Sequence, residues 1–266
     1  GARSPPDEAA ATPVVAKTPR AEASSVRRRR PGSFWLAGRS AVEVVSWIEI
    51  TDRRGEASRL DIQRALAHLE QVALVARELA PVIDDLCATF SLKRGHVDPE
   101  VGKYGLENTL IAVGARFLEV VAPVQEGTAG GRYLERRGGD GGYMVICQVP
   151  TLEEQAALRA RAAEAGVRVA HEIDRKTWNI MQLHPADMGA AFLEVDWDEK
   201  ADVAGNWMPA GGESWREDVA TEVVSDITGV ELQSEDPAAL AAKWAAVCGL
   251  PVEREGGMPV MRLADA

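Results

Sequence analysis

The chain has 266 residues, 46% hydrophobic and 27% charged, with a formal net charge of -11. That is the composition of a globular protein with a sizeable core, and no run of about 20 apolar residues marks a transmembrane helix. Basic groups exceed acidic ones only in residues 1–60 (11 against 7), while the remainder carries 19 basic and 34 acidic groups, so the body lacks the footprint that nucleic acid requires.

Residues 1–65 are expected to lie outside the functional fold. Up to residue 33 they are rich in Ala, Pro, Ser and Arg, with a basic run from Arg27 to Arg30, and cannot bury enough surface to order themselves. Residues 34–60 hold material for a strand or two. No secretory signal pattern opens the chain. Cys87, Cys147 and Cys248 show neither metal-type spacing nor a disulfide framework, which reads as buried free thiols in a cytoplasmic protein.

Elements become distinct from His68. Leu69 to Ala76 has the composition of a buried strand. Val82, Ile83, Leu86 and Phe90 fall on one face of a following helix. The stretch from Lys93 to Gly105 reads as a short strand and a loop. Leu106 to Gly114 and Arg116 to Pro123 read as two strands joined at Gly114. The glycine-rich stretch from Glu126 to Gly142 has no helix opening directly after it, so a flexible connector or lid is expected rather than a phosphate loop. A second series then begins: a strand from Tyr143 to Val149, a helix capped by Thr151 and Glu154 and stopped at Gly166, and three strands ending in "AAFLEVDWD". Residues 199–224 read as a polar linker containing Trp207 and Trp215. A partial third unit follows over 225–266. It has a strand at Gly229 to Gln233, a helix capped by Asp236 with Leu240, Trp244 and Val247 on one face, and two short strands. It lacks a closing strand, as expected of a fragment, of a partial module, or of a unit that pairs with a second chain.

The series is a repeat. Phe117-Leu118-Glu119-Val120 recurs as Phe192-Leu193-Glu194-Val195, 75 residues later, and His96 and His171 share that offset. One carboxylate at the same place in each copy suggests two half-sites that face each other.

These residues resemble the vicinal oxygen chelate superfamily, which includes glyoxalase I, methylmalonyl-CoA epimerase, extradiol dioxygenases and bleomycin-resistance proteins. "LEQVALVAREL" is similar to its first strand, and "LHPADMGAAFLEV" to a stretch of the epimerases and glyoxalase-like proteins. The resemblance implies an α+β fold over residues 66–198, in which tandem βαβββ modules form a curved mixed β-sheet cup. It implies a divalent metal held at four positions, which here carry Gln71, Glu119, Met144 and Glu194. Three of these, Gln71, Glu119 and Glu194, are ligand types; a thioether is a poor partner for a hard metal. A metal in such a cup stabilises an enolate, and a ligand carboxylate, Glu119 or Glu194, serves as base. His184 and Arg132 are candidate substrate contacts. His68 would be a ligand only if its strand began earlier.

Two readings follow. The first is a glyoxalase-like lyase or isomerase that uses metal-assisted proton transfer on a small oxygenated metabolite. The second is a metal-free binding protein of the same fold, for sequestration or ligand sensing. An extradiol dioxygenase is disfavoured, because the ligand positions offer no His. The expected partners are a small-molecule ligand and a second copy in a homodimer, without nucleic acid, membrane or nucleotide cofactor.

Overall fold

The computed structural model describes the strand residues 25–28, 33–37 and 46–51, and then residues 67–201, 207 and 210–263. Its centre is a seven-stranded sheet. The first module supplies β4 (His68–Val75), α1 (Leu79–Phe90), β5 (Leu106–Val113) and β6 (Arg116–Pro123). The second supplies β7 (Gly141–Gln148), α3 (Leu152–Glu164), β8 (Val169–Asp174), β9 (Trp178–Leu183) and β10 (Phe192–Asp198). The strand order β5-β6-β4-β7-β10-β9-β8 makes one continuous sheet with β4 and β7 antiparallel at its middle.

The strands alternate as a two-sided sheet must. Leu69, Val72, Leu118, Val120, Leu193 and Val195 pack on one face against Ile83, Leu86 and Phe90 of α1 and Leu158 of α3. The helix face expected from Val82, Ile83, Leu86 and Phe90 is therefore the buried one, with Val82 only partly covered. Thr151 accepts from the backbone N–H of Glu154, and Gly166 leaves the end of α3 with φ +70°. The opposite face of the sheet lines a cavity.

Two segments depart from expectation. The second strand of the first module shrinks to one bridge, His96 with Leu110, followed by a 3-10 turn over Pro99–Tyr104. The glycine-rich stretch is not a flexible connector. It folds as α2 (Ala129–Arg137), with Thr128 as N-cap and Gly138 as a left-handed C-cap. Gly130 explains it: a Cβ there would sit 3.2 Å from Leu106 and 3.7 Å from Val75, so the absence of a side chain lets the helix lie close on the sheet.

The third unit contains β11 (Asp226–Leu232), α5 (Pro237–Cys248), β12 (Glu253–Glu255) and β13 (Met258–Val260). Trp244 of α5 donates its indole N–H to the Met188 carbonyl at 3.0 Å. Arg161 of α3 reaches the carbonyls of Val247 and Cys248. β11 forms the edge of a second sheet with β1 (Ser25–Arg28), β2 (Ser33–Ala37) and β3 (Ser46–Thr51), in the order β1-β2-β3-β11. The rest of the N-terminal stretch 1–65 lies outside the described residues. Among the described residues no helix is long and apolar enough to cross a membrane. Cys147 is buried, and Cys87 and Cys248 are partly covered; all three are free thiols.

Candidate functional site

The strand register identifies the equivalent positions of the two halves. Gln71 on β4 lies opposite Phe117 on β6, and Met144 on β7 lies opposite Phe192 on β10. Across the central pair, Gln71 faces Ile146 and Ala73 faces Met144. A pseudo-twofold axis therefore runs between β4 and β7 and relates Gln71 to Met144 and Glu119 to Glu194. The 75-residue repeat is a structural one.

Gln71, Glu119, Met144 and Glu194 all line one cavity of about 1360 Å³. Its floor carries the carboxylates. Glu119 is clamped on both oxygens: Gln71 Nε2 donates to Oε2 at 2.6 Å and Asn108 Nδ2 donates to Oε1 at 2.6 Å. Glu194 accepts from Gln182 Nε2 at 2.6 Å. The halves differ in where the amide stands. In the first, β4 offers Gln71. In the second, the equivalent Met144 cannot donate, and β9 offers Gln182, directly opposite Glu194 in the ladder. Asn108 and Gln182 escape a reading of the sequence alone because their role depends on which residue pairing brings beside them. The signal was an amide inside an otherwise apolar strand.

Burial is the main electrostatic fact. It raises the Glu119 carboxyl from an ordinary 4.5 to about 7, against the Asn108 and Gln71 hydrogen bonds and with the help of the Glu194 charge. Glu194 is also pushed up by burial. Asp196, two residues along β10 and fully buried, lies well above its ordinary range, first through burial and then through Glu194.

His184 and Arg132 line the same cavity, as does His171. His184 also caps the short helix α4 (Pro185–Met188), its Nδ1 accepting from Ala186 N. His171 on β8 meets the Tyr104 hydroxyl through Nε2 at 2.8 Å, which ties the 3-10 turn of the first module to the far edge of the second. His68 and His96 are not among the lining residues. β4 does begin at His68, but that side chain is buried beside Glu70, 3.4 Å away. His96 lies under Gly211, where a Cβ would come within 2.8 Å of its ring.

The stretch read as a polar linker closes one side of the cavity. Trp207 and Trp215 are buried and pack on Leu110, Ala112 and Phe117, with Trp215 edge-on to Phe117 at 5.2 Å. The other side is walled by Tyr133 of α2, Tyr143, Met144 and Phe192.

A curved sheet of paired βαβββ modules with a lined cup defines the vicinal oxygen chelate class. A sequence model described as a glyoxalase-like domain matches residues 69–248, and the chain belongs to that family. No curated protein matches the chain. Among solved structures, a methylmalonyl-CoA epimerase in complex with methylmalonyl-CoA and NH4+ is 19% identical over 52% of this chain and 99% of its own, with a TM-score of 0.44. The methylmalonyl-CoA epimerase from Mycobacterium tuberculosis is 23% identical over 51% and 91%, with a TM-score of 0.43. A Streptomyces coelicolor methylmalonyl-CoA epimerase variant bound to 2-nitronate-propionyl-CoA is 18% identical over 51% and 99%, also at 0.43.

Members of this superfamily commonly hold a divalent metal. The donor set here does not fit one held at four protein positions. The fourth position is Met144, packed among Tyr133, Tyr143 and Ile146. Both carboxylates already accept from amide nitrogens, and Gln71 turns its nitrogen to Glu119. Among the described residues no group of three or more His, Cys, Asp and Glu is arranged to hold an ion.

Proposed function

We propose that the cavity is the active site of a glyoxalase-like enzyme that moves a proton on a small oxygenated metabolite, with Glu119 as the proton-transfer group. The observation that carries this reading is a buried carboxylate fixed on both oxygens at the floor of a large cavity. A carboxyl raised to about 7 is divided near evenly between acid and base at neutral pH, the condition in which general catalysis is most effective. Glu194 faces it from the other half as a second carboxyl. Abstraction of a proton next to a carbonyl leaves an enolate, and the amides of Gln71, Asn108 and Gln182, each with one N–H on a carboxylate and a second N–H to offer, are fixed dipoles for that charge. The reaction class is isomerisation or lyase chemistry, with Glu119 carrying the proton.

Proton wash-out needs no knowledge of the true substrate. Purified protein in D₂O is incubated with a panel of 2-oxo and 2-hydroxy acids and thioesters, and loss of the C–H signal is followed by NMR. Exchange on at least one compound, abolished in Glu119→Gln, is expected. A compound that binds but never exchanges would sink the enzyme reading and leave the binding protein, a reading that Met144 at a ligand position favours. In the same preparation, added Mg²⁺, Mn²⁺, Ni²⁺ or Zn²⁺ is expected to raise Tm by less than about 1 °C. A stoichiometric metal lost in Glu194→Ala would return Gln71, Glu119 and Glu194 to the role of ligands.

A further inference from the structure

The cavity is charged at its floor and along α2, and Asp98, Glu100, Lys103 and Arg175 line it as well, with Lys103 paired to Glu100. Its floor holds Glu119 and Glu194, while Arg132 and Arg136 line it from α2. These two arginines stand four apart on the helix, hence on one face, where like charges repel. Arg132 donates to the Gly127 carbonyl and Arg136 lies 5.8 Å from the Tyr133 ring; neither is ion-paired to a carboxylate among the described residues. Both act electrostatically on the Tyr143 hydroxyl, so they stand next to the aromatic wall. The helix that presents them is anchored. Arg137, buried, donates to the Tyr133 hydroxyl and to the Gly142 carbonyl.

Between the floor and α2 the wall is apolar. Tyr133, Tyr143 and Phe192 meet ring to ring at 4.9 to 6.3 Å, and Met144 and Ile146 join them. The volume of about 1360 Å³ exceeds the roughly 300–1,000 Å³ of ordinary small-molecule sites, and far exceeds what a three- or four-carbon acid fills. A negative group placed on the floor would meet two buried carboxyls. Placed at α2 it would relieve the repulsion between two guanidiniums, which form bidentate bonds with carboxylate and phosphate.

We propose that the cavity takes an elongated organic anion: a carboxylate or phosphate head between Arg132 and Arg136, an apolar or aromatic body along Tyr133, Tyr143, Met144 and Phe192, and an uncharged oxygenated end at Glu119. The position of that last end rests on the proton-transfer reading; the head and body do not.

Calorimetric titration of the whole chain with octyl phosphate, octanoate, octanol and inorganic phosphate tests it. Octyl phosphate or octanoate is expected to bind about tenfold or more tighter than octanol and than inorganic phosphate. The double variant Arg132→Ala, Arg136→Ala is expected to lose that advantage with an unchanged circular dichroism spectrum. Phe192→Ala should weaken the octyl compounds and leave inorganic phosphate unaffected. Equal affinity for octanol and the octyl anions, or an unaffected double variant, would overturn the proposal. Glu119→Gln should still bind the octyl anions. Binding intact in that variant, with no proton exchange in the wild type, refutes the catalytic reading alone.

Discussion

At the scale of single residues, Glu119 decides most. Its folded value of about 7 lies above its ordinary 4.5 because of burial. A carboxyl raised on folding stabilises most below its unfolded value and loses that contribution as pH rises through the folded one. On this ground stability should fall between about pH 4.5 and 7, by an amount on the order of 3 kcal/mol at full ionisation. Glu119→Gln, which cannot ionise, should flatten that slope, so the difference in urea midpoint between wild type and variant should shift in the variant's favour from pH 5 to pH 8. Parallel curves across this range would show that Glu119 titrates normally. The residues that line the floor were largely legible in the sequence. The Phe-Leu-Glu-Val repeat marks Glu119 and Glu194, and Gln71 and Met144 occupy the equivalent first-strand positions. Asn108 and Gln182 were not legible, because an amide in a strand has no partner until register assigns one.

At the scale of elements, the hairpin between β5 and β6 turns at Gly114. It has φ +64°, and a Cβ would lie 2.3 Å from the Ser225 carbonyl oxygen. The turn therefore depends on glycine for its conformation and for the approach of β11, which Arg116 secures through an ion pair with Asp226. Gly114→Ala should cost more than about 2 kcal/mol, through left-handed strain and the clash together, read as a lower urea midpoint. An unchanged midpoint would mean that the β11 contact yields freely. Helix α2 shows where a sequence rule failed. Its glycines signalled a loop by intrinsic propensity, yet Gly130 is selected by contact with Leu106 and Val75, a tertiary cause with no local signature. The second strand of the first module failed in the opposite sense: Gly95 has the Leu110 carbonyl so close that a Cβ would lie 1.9 Å away, and pairing stops after one bridge.

At the scale of the whole molecule, the third unit is joined to the second module by buried contact. Trp244 is 4% exposed and packs in the main core with Val247 and Met188, besides its bond to the Met188 carbonyl. Trp244→Ala should lower the unfolding free energy by about 3–5 kcal/mol. In limited proteolysis the variant should lose the third unit before the sheet of residues 68–198. Simultaneous loss of both would show one cooperative body. Most of the strands and helices from His68 onward, and their order, were legible from periodicity and caps. The placing of Trp207 in the cavity wall, and of Trp215 on Phe117, was not, since tryptophans in a polar stretch carry no indication of the surface they cover.

The exchange of Gln71 for Met144 across the pseudo-twofold axis has one more consequence. A cup with identical halves offers every guest two equivalent poses, one the image of the other, and cannot favour either. With the amide on β4 in one half (Gln71) and on β9 in the other (Gln182), the donors no longer correspond across the axis and that degeneracy is lifted: a guest that accepts a hydrogen bond from one of them is seated one way round. The duplicated fold thereby acquires a handedness that its two matching carboxylates alone would not confer.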